Sequence, residues 1–240
     1  MKAMVLAAGL GTRLKEETRN KPKALVQVGG KPLLQHVIEK LQLLDLEEIV
    51  VNVHHFSGLI KDFIKAHDFG IPVSISDETG QLLDTGGGLK KAAPFFPGNE
   101  PVLIHNVDVL SSVDLRKLID SHVHNHALAT LVVRNRKTNR YFRFSETKRL
   151  VGWRNIKTGE TKIAVPEAFD NAMDMAFSGI HIVDSGIFKR MPDERCFSIT
   201  DFYLKLAESH LIAGYFDDSD WWSDVGKWDD LVEVRRLMEK

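Results

Sequence analysis

The chain has little cysteine, no charge excess, no long apolar run, and neither of two common phosphate-binding patterns. Cys196 is the single cysteine in 240 residues, so no disulfide can close within the chain, and such usage fits a reducing compartment. As a lone thiol it reads as a small buried hydrophobe rather than a nucleophile. The charges balance at −1, with 32 Lys plus Arg against 33 Asp plus Glu. Without a global basic field, nucleic acid is not an expected partner, and any anion site must be local. No apolar run approaches the length of a membrane span, and the apolar start is too short for a leader. The expectation is a soluble, cytoplasmic protein with no membrane partner. The pattern G-x-x-x-x-G-K-[ST] is absent, and Leu14 occupies the third glycine position of the dinucleotide fingerprint.

What is present is concentrated at the beginning. Residues 3–7 are an apolar run expected to form a buried parallel strand. The run leads into Ala8-Gly9-Leu10-Gly11-Thr12-Arg13-Leu14. Glycines let a backbone turn tightly and bring its N–H groups close to an anion. Arg13 places a planar fork beside that loop, and Lys23 adds a second cation after Pro22. A strand, a glycine turn and two cations describe a triphosphate site. Further on, Asp108 follows the apolar stretch 101–106. A carboxylate there, past a central strand and facing the glycine loop, is placed to hold Mg²⁺.

The stretches Ala7-Ala8-Gly9-Leu10-Gly11-Thr12-Arg13-Leu14, Pro22-Lys23-Ala24-Leu25 and Gly30-Lys31-Pro32 together resemble the signature of the sugar-1-phosphate nucleotidyltransferases. The resemblance implies a Rossmann-like α/β fold: a mixed, mostly parallel sheet flanked by helices, with a small sugar-binding β subdomain. It implies Arg13 and Lys23 as catalytic residues. Nucleotide contacts would come from Ala7, Ala8, Gly9, Gly11, Thr12, Glu78, Thr85, Gly86 and Gly87. Asn106, Ser178 and Gly179 would meet the sugar, and Asp108 with Asp224 would hold Mg²⁺. Two departures stand out: Val107 replaces the glycine usual before the first aspartate, and Lys227 replaces the threonine after Asp224-Val225-Gly226. The form Thr85-Gly86-Gly87-Gly88 and the compact length are similar to the N-acetylmuramate-1-phosphate uridylyltransferase branch. That makes UTP the favoured nucleotide and an amino-sugar 1-phosphate the second substrate. A heptose- or mannose-type guanylyltransferase and a cytidylyltransferase acting on phosphocholine are the alternatives. Trp221, Trp222 and Trp228 keep the last open as a possible aromatic box.

The remaining chain alternates strands and helices. Helices are expected over 32–44, 57–67 (opened by a Ser57 cap), 89–93 (opened by three glycines that expose donors), 114–125, 198–210 and 228–238. Strands are expected over 48–53, 71–75, 101–106, 128–133, 175–183 and 211–216. Phe142, Phe144, Leu150 and Trp153 point to a hairpin turning near Thr147-Lys148, and 157–162 is turn-rich. The basic run 134–147 reads as a solvated face, and His122, His124 and His126 as a solvated helix end rather than a zinc site. One nucleotidyltransferase domain is expected over 1–240, with a nucleotide half (1–133) and a sugar half (134–240). The last helix is expected to pack on the core rather than lead to a further domain. The oligomeric state is read as monomer or homodimer. A catalytically dead sensor would keep the glycines and lose the charges, yet Arg13, Lys23, Asp108 and Asp224 are all present. A nicotinamide-dependent oxidoreductase is opposed by Leu14.

Overall fold

Parallel strands need a crossover of a dozen or more residues between them, and the first hundred residues provide several. The computed structural model describes residues 1–238. Its first part runs β1 (Lys2–Leu6), β2 (Gln27–Val28), β3 (Lys31–Pro32), α1 (Leu33–Leu41), β4 (Ile49–Val53), α2 (Ser57–Ala66), β5 (Val73–Asp77), α3 (Asp84–Ala92) and β6 (Val102–Asn106). There follow β7 (Val109–Ser111), α4 (Leu115–Asn125), β8 (Ala129–Arg134), β9 (Arg140–Phe144), β10 (Leu150–Asn155), β11 (Thr161–Ile163) and α5 (Pro166–Phe169). The chain then forms β12 (Met173–Val183), α6 (Ile199–Ala207), β13 (Ile212–Phe216), β14 (Trp222–Asp224) and α7 (Trp228–Met238).

β5, β4, β1 and β6 pair in parallel in that order, so β1 is central. β12 adds antiparallel to β6, β8 pairs antiparallel with β12, and β13 closes the edge parallel to β8. The N-terminal end of β12 leaves this sheet and pairs with β9, the first strand of the β9–β10–β11 meander. The result is the expected mixed, mostly parallel sheet with a small β extension. Strands from both sides of residue 133 share the main sheet.

Burial alternates along the strands as a two-sided sheet requires. Ala3 and Val5 face one core with Leu33, Leu34, Val37, Ile38 and Leu41 of α1. Met4 faces the other with Leu89 of α3 and Phe202, Tyr203 and Leu206 of α6.

Four local expectations differ. Phe56 (φ 54°), not Ser57, holds the cap position of α2, and the Ser57 hydroxyl accepts from Thr79 Oγ1 at 3.0 Å instead. The stretch read as turns contains β11, held by pairing to β10 rather than by its own pattern. His122 is buried, with Nδ1 2.9 Å from Thr130 Oγ1, and burial pulls its pKa down to about 4; His124 and His126 are exposed. Cys196 is exposed, contrary to the buried reading.

Candidate active site

β1, β4 and β6 end together, and their carboxyl ends open onto a cavity of about 430 Å³. Its wall includes Ala8 and Gly9 of the glycine loop, Lys23, Glu78, Thr85, Asn106 and Asp108. The Ala7 amide donates to Asn52 Oδ1 at 2.7 Å. Beyond it, among the described residues, the amides of Ala8, Gly9, Leu10 and Gly11 have no protein acceptor. Gly11 sits at φ +67°, where an added Cβ would lie 3.0 Å from both Lys23 Cβ and Thr18 Cγ2. Glycine there lets the loop fold down on Lys23. Leu14 is fully buried, so the position that breaks the dinucleotide fingerprint belongs to the core. Thr12 opens a 3₁₀ turn and is exposed.

The charged groups meet beneath the loop. Lys23 is 7% exposed, and its ammonium pairs with the Asp108 carboxylate and lies 4.0 Å from Asp224 Oδ1. The two aspartates come from distant segments joined by a three-residue antiparallel ladder, in which Asp224 is opposite Val109. The Val225 amide donates to the Asp108 carbonyl at 2.8 Å, which locks the pairing. Arg13 arrives from the other side. An added Cβ on Gly226 would sit 3.0 Å from Arg13 Nη2 and 2.7 Å from Asp224 Oδ1.

Desolvation and the Asp108 charge push the Asp224 carboxyl above the usual range, while Lys23 and Arg13 oppose the shift. Although 43% of that side chain's surface is open, Oδ1 is shielded and has no hydrogen-bond partner. A buried, unpartnered carboxylate oxygen beside a second carboxylate fits a divalent cation. Among the described residues no cluster of three His, Cys, Asp or Glu could hold a metal alone. A cation here would need further oxygens, from water or a bound phosphate.

The opposite wall is built on Glu78. Its Oε1 accepts from Asn52 Nδ2 at 2.6 Å, so one asparagine ties the glycine loop to this carboxylate. Burial raises the Glu78 pKa, against the Asn52 hydrogen bond. The glycines that follow behave differently from expectation. α3 begins at Asp84 and takes Gly86, Gly87 and Gly88 inside it, all buried. The Gly86 and Gly87 amides donate to the Phe197 carbonyl at 3.0 and 3.3 Å. An added Cβ would lie 2.4 Å from the Phe197 ring at Gly86, 2.1 Å from the Arg195 carbonyl at Gly87, and 2.7 Å from Glu78 Oε1 at Gly88. These glycines supply room for close packing, not free donors.

At the end of the site beside β12, Gly179 (φ +74°) approaches Asn106, whose Nδ2 would be 2.9 Å from an added Cβ. The approach exists because β12 bulges between Phe177 and His181. Ser178 is fully buried with Oγ unpartnered, and its carbonyl accepts from Trp222 Nε1 at 2.9 Å. Arg13, Lys23, Asp108 and Asp224 therefore converge, with Asn106 and Gly179 beside them. Thr85 and Glu78 stand across the cavity, while Gly86, Gly87 and Ser178 lie behind its wall. Val107, the departure from the signature, is buried and lines the cavity floor.

One cavity-wall residue escaped the sequence reading: Asn52, which left a signal, a polar residue inside a β-branched strand. Cys196, read from the sequence as a small buried hydrophobe, also lines the cavity. Trp222 packs on the core and carries the Arg136 guanidinium, 4.2 Å from its ring centroid. Trp221 and Trp228 are exposed.

The sequence pattern of the nucleotidyl transferase family matches residues 2–240. An N-acetylmuramate alpha-1-phosphate uridylyltransferase of Caulobacter vibrioides is 45% identical over 109 residues, 44% of this chain and 45% of that protein. The Neisseria meningitidis enzyme of the same name is 37% identical over 115 residues, 48% of this chain and 49% of its own length. A UTP–glucose-1-phosphate uridylyltransferase of Synechocystis is 31% identical over 252 residues, covering 98% of this chain and 63% of that protein. The chain thus spans about half of the first of these relatives and under two thirds of the last. The crystal structure of HddC from Yersinia pseudotuberculosis shares the fold, with a TM-score of 0.80 at 20% identity over 98% of both chains.

Proposed function

We propose, from the premise that this chain belongs to the nucleotidyl transferase family, that it joins a nucleoside triphosphate to a sugar 1-phosphate, releasing pyrophosphate. The observation that carries the reading is the convergence of Lys23, Asp108, Asp224 and Arg13 beside uncommitted glycine-loop amides. That constellation suits two polyanions brought together, and it contains no nucleophile set for a covalent intermediate.

A phosphate oxygen of the sugar 1-phosphate attacks the α-phosphorus. A new P–O bond forms, the bond between the α-phosphorus and the bridging oxygen breaks, and pyrophosphate leaves with the electron pair. The attacking phosphate is already ionised near neutral pH, so no general base is needed. The protein's part is positioning and charge neutralisation. The amides of Ala8, Gly9 and Gly11, with Thr12 and Arg13, hold the triphosphate and the departing pyrophosphate. Lys23 exchanges its Asp108 partner for the α-phosphate and the incoming phosphate. Asp108 and Asp224 would hold Mg²⁺, which when bound neutralises charge on the phosphates and completes its oxygen shell with them. Glu78, Thr85 and the Gly86–Gly87 wall border the base, and Asn106, Ser178 and Gly179 the sugar. On this assignment residues 1–133 serve the nucleotide, with Asn106 reaching the sugar, and 134–240 serve the sugar and supply Asp224 as the second metal ligand.

UTP and an amino-sugar 1-phosphate are the finer proposal, supported by the Thr85-Gly86-Gly87-Gly88 form and by the two N-acetylmuramate relatives. The phosphocholine alternative loses support because the Trp222 face already carries a guanidinium. The test is pyrophosphate release with Mg²⁺ over four NTPs and a set of sugar 1-phosphates. Release with UTP and an amino sugar is expected, whereas no release with any pair defeats the transferase reading. Preference for GTP with a heptose or mannose phosphate defeats only the finer one.

A further inference from the structure

The basic run 134–147 divides in the structure. Arg134 pairs with the Asp217 carboxylate, and Arg143 and Arg154 both meet Asp174. Arg136, partly buried, has no carboxylate within ion-pair distance among the described residues. Its guanidinium lies over Trp222, with its carbon 4.2 Å from the ring centroid. Nη2 donates to the Phe177 carbonyl at 2.9 Å, and Nε is buried without a partner. Trp222 is itself fixed, since its Nε1 donates to the Ser178 carbonyl.

Arg136 is thus fastened to the two segments that carry Gly179 and Asp224, the bulge of β12 and the strand β14. The Trp222 ring and one backbone carbonyl hold the guanidinium, and the Asp224 and Asp230 carboxylates act on it only from beyond ion-pair distance. A half-buried guanidinium with a single hydrogen bond and no ion pair is costly unless an oxyanion completes it. The triphosphate already has the glycine loop and Arg13 on the far side of Asp224. The oxyanion nearest the bulge would belong to the second substrate.

We propose that Arg136 is a specificity residue that grips an oxyanion of the sugar 1-phosphate, either its phosphate or an acidic substituent on the sugar. The inference rests on the transferase reading for the identity of the ligand, but binding alone can test it.

Calorimetric titration of the Mg²⁺-loaded protein would use two probes, glucose 1-phosphate and glucuronic acid 1-phosphate. Arg136→Gln should weaken binding about tenfold or more while the melting temperature stays near wild type. Arg136→Lys, which keeps the charge and loses the fork, should fall between. Lys137→Gln, an exposed neighbour in the same run, should change nothing. Equal weakening of both probes identifies the phosphate as the group held. Weakening confined to the glucuronic acid compound identifies the carboxylate. Unchanged affinity of Arg136→Gln for both, failure of both to bind wild type, or weakening explained by a fall in melting temperature would overturn the proposal. Wild type that binds the probes yet releases no pyrophosphate with any NTP would defeat the transferase reading and leave the Arg136 result standing.

Discussion

Two glycine-rich segments face the same cavity and use glycine in opposite ways. In the loop after β1, a Cβ added to Gly9 would meet nothing within 4 Å, and its amide has no protein acceptor among the described residues. In α3, Gly86 and Gly87 are buried under residues 195–197, and their amides are committed to Phe197. The segment over α3 is further held by Lys90, which donates to the Pro192 carbonyl at 2.5 Å and the Asp193 carbonyl at 3.1 Å. In the sequence both segments read as glycine turns that expose backbone donors, and the resemblance assigned both to the nucleotide. The lesson is that glycine offers its backbone only where no neighbour has arrived first. Gly9 should therefore be sensitive in turnover and tolerant in stability, and the α3 track the reverse.

The sharpest break on the loop side is at the aspartates that face it. If Asp108 and Asp224 share one cation, Asp108→Asn and Asp224→Asn should each abolish Mg²⁺-dependent pyrophosphate release. The double mutant should lose no more than either alone, as residues acting as a unit do. A double mutant showing the product of two partial losses would separate them.

Lys23→Ala comes next. It removes a cation from the phosphates, and turnover should fall at least ~10²-fold, the scale of a lost transition-state charge contact. Near-wild-type turnover in the folded mutant would remove Lys23 from the chemistry.

On the α3 side the effect moves to stability. Gly87→Ala gains up to ~1 kcal/mol of helix propensity. It also drives a Cβ into a backbone carbonyl 2.1 Å away, which a rigid neighbour cannot relieve. Overpacking of that kind costs ~1–3 kcal/mol or more. A net loss of ~1–2 kcal/mol in chemical denaturation is expected; a mutant as stable as wild type would show that the segment over α3 yields.

Gly9→Ala should produce the smallest change in stability, within ~0.5 kcal/mol, because nothing lies within 4 Å of the new atom. Its turnover should still fall about tenfold, since the methyl would occupy space the phosphates need. A stability loss matching that of Gly87→Ala would erase the contrast between the two segments.

Much of the fold was legible because it is local. β1, β4 and β6 are short apolar runs, and α1 shows its buried face at helical spacing, so burial pattern and element type agree. The loop signature was legible for the same reason, as its residues are neighbours in sequence. Less was legible where a partner decides. The extent of α3 depended on Phe197 covering glycines that alone favour a turn. β11 depended on β10, and the burial of His122 on the Thr130 hydroxyl.

By itself, then, the sequence determined the strand–glycine–cation unit, the succession of elements, and the residue types able to handle phosphates. Each is encoded within a dozen or so residues, where periodicity and backbone preference act directly. The resemblance already paired Asp224 with Asp108, which the ladder of β7 and β14 brings about; only the tertiary structure decided that Asn52 joins the loop to Glu78 and that Arg136 lies over Trp222. Those contacts join segments 26 to 116 residues apart through single hydrogen bonds, one cation–π pair and a three-residue ladder. Such contacts leave no repeat along the chain, because a side chain's neighbour across a sheet is set by register and packing, not by its place in the sequence.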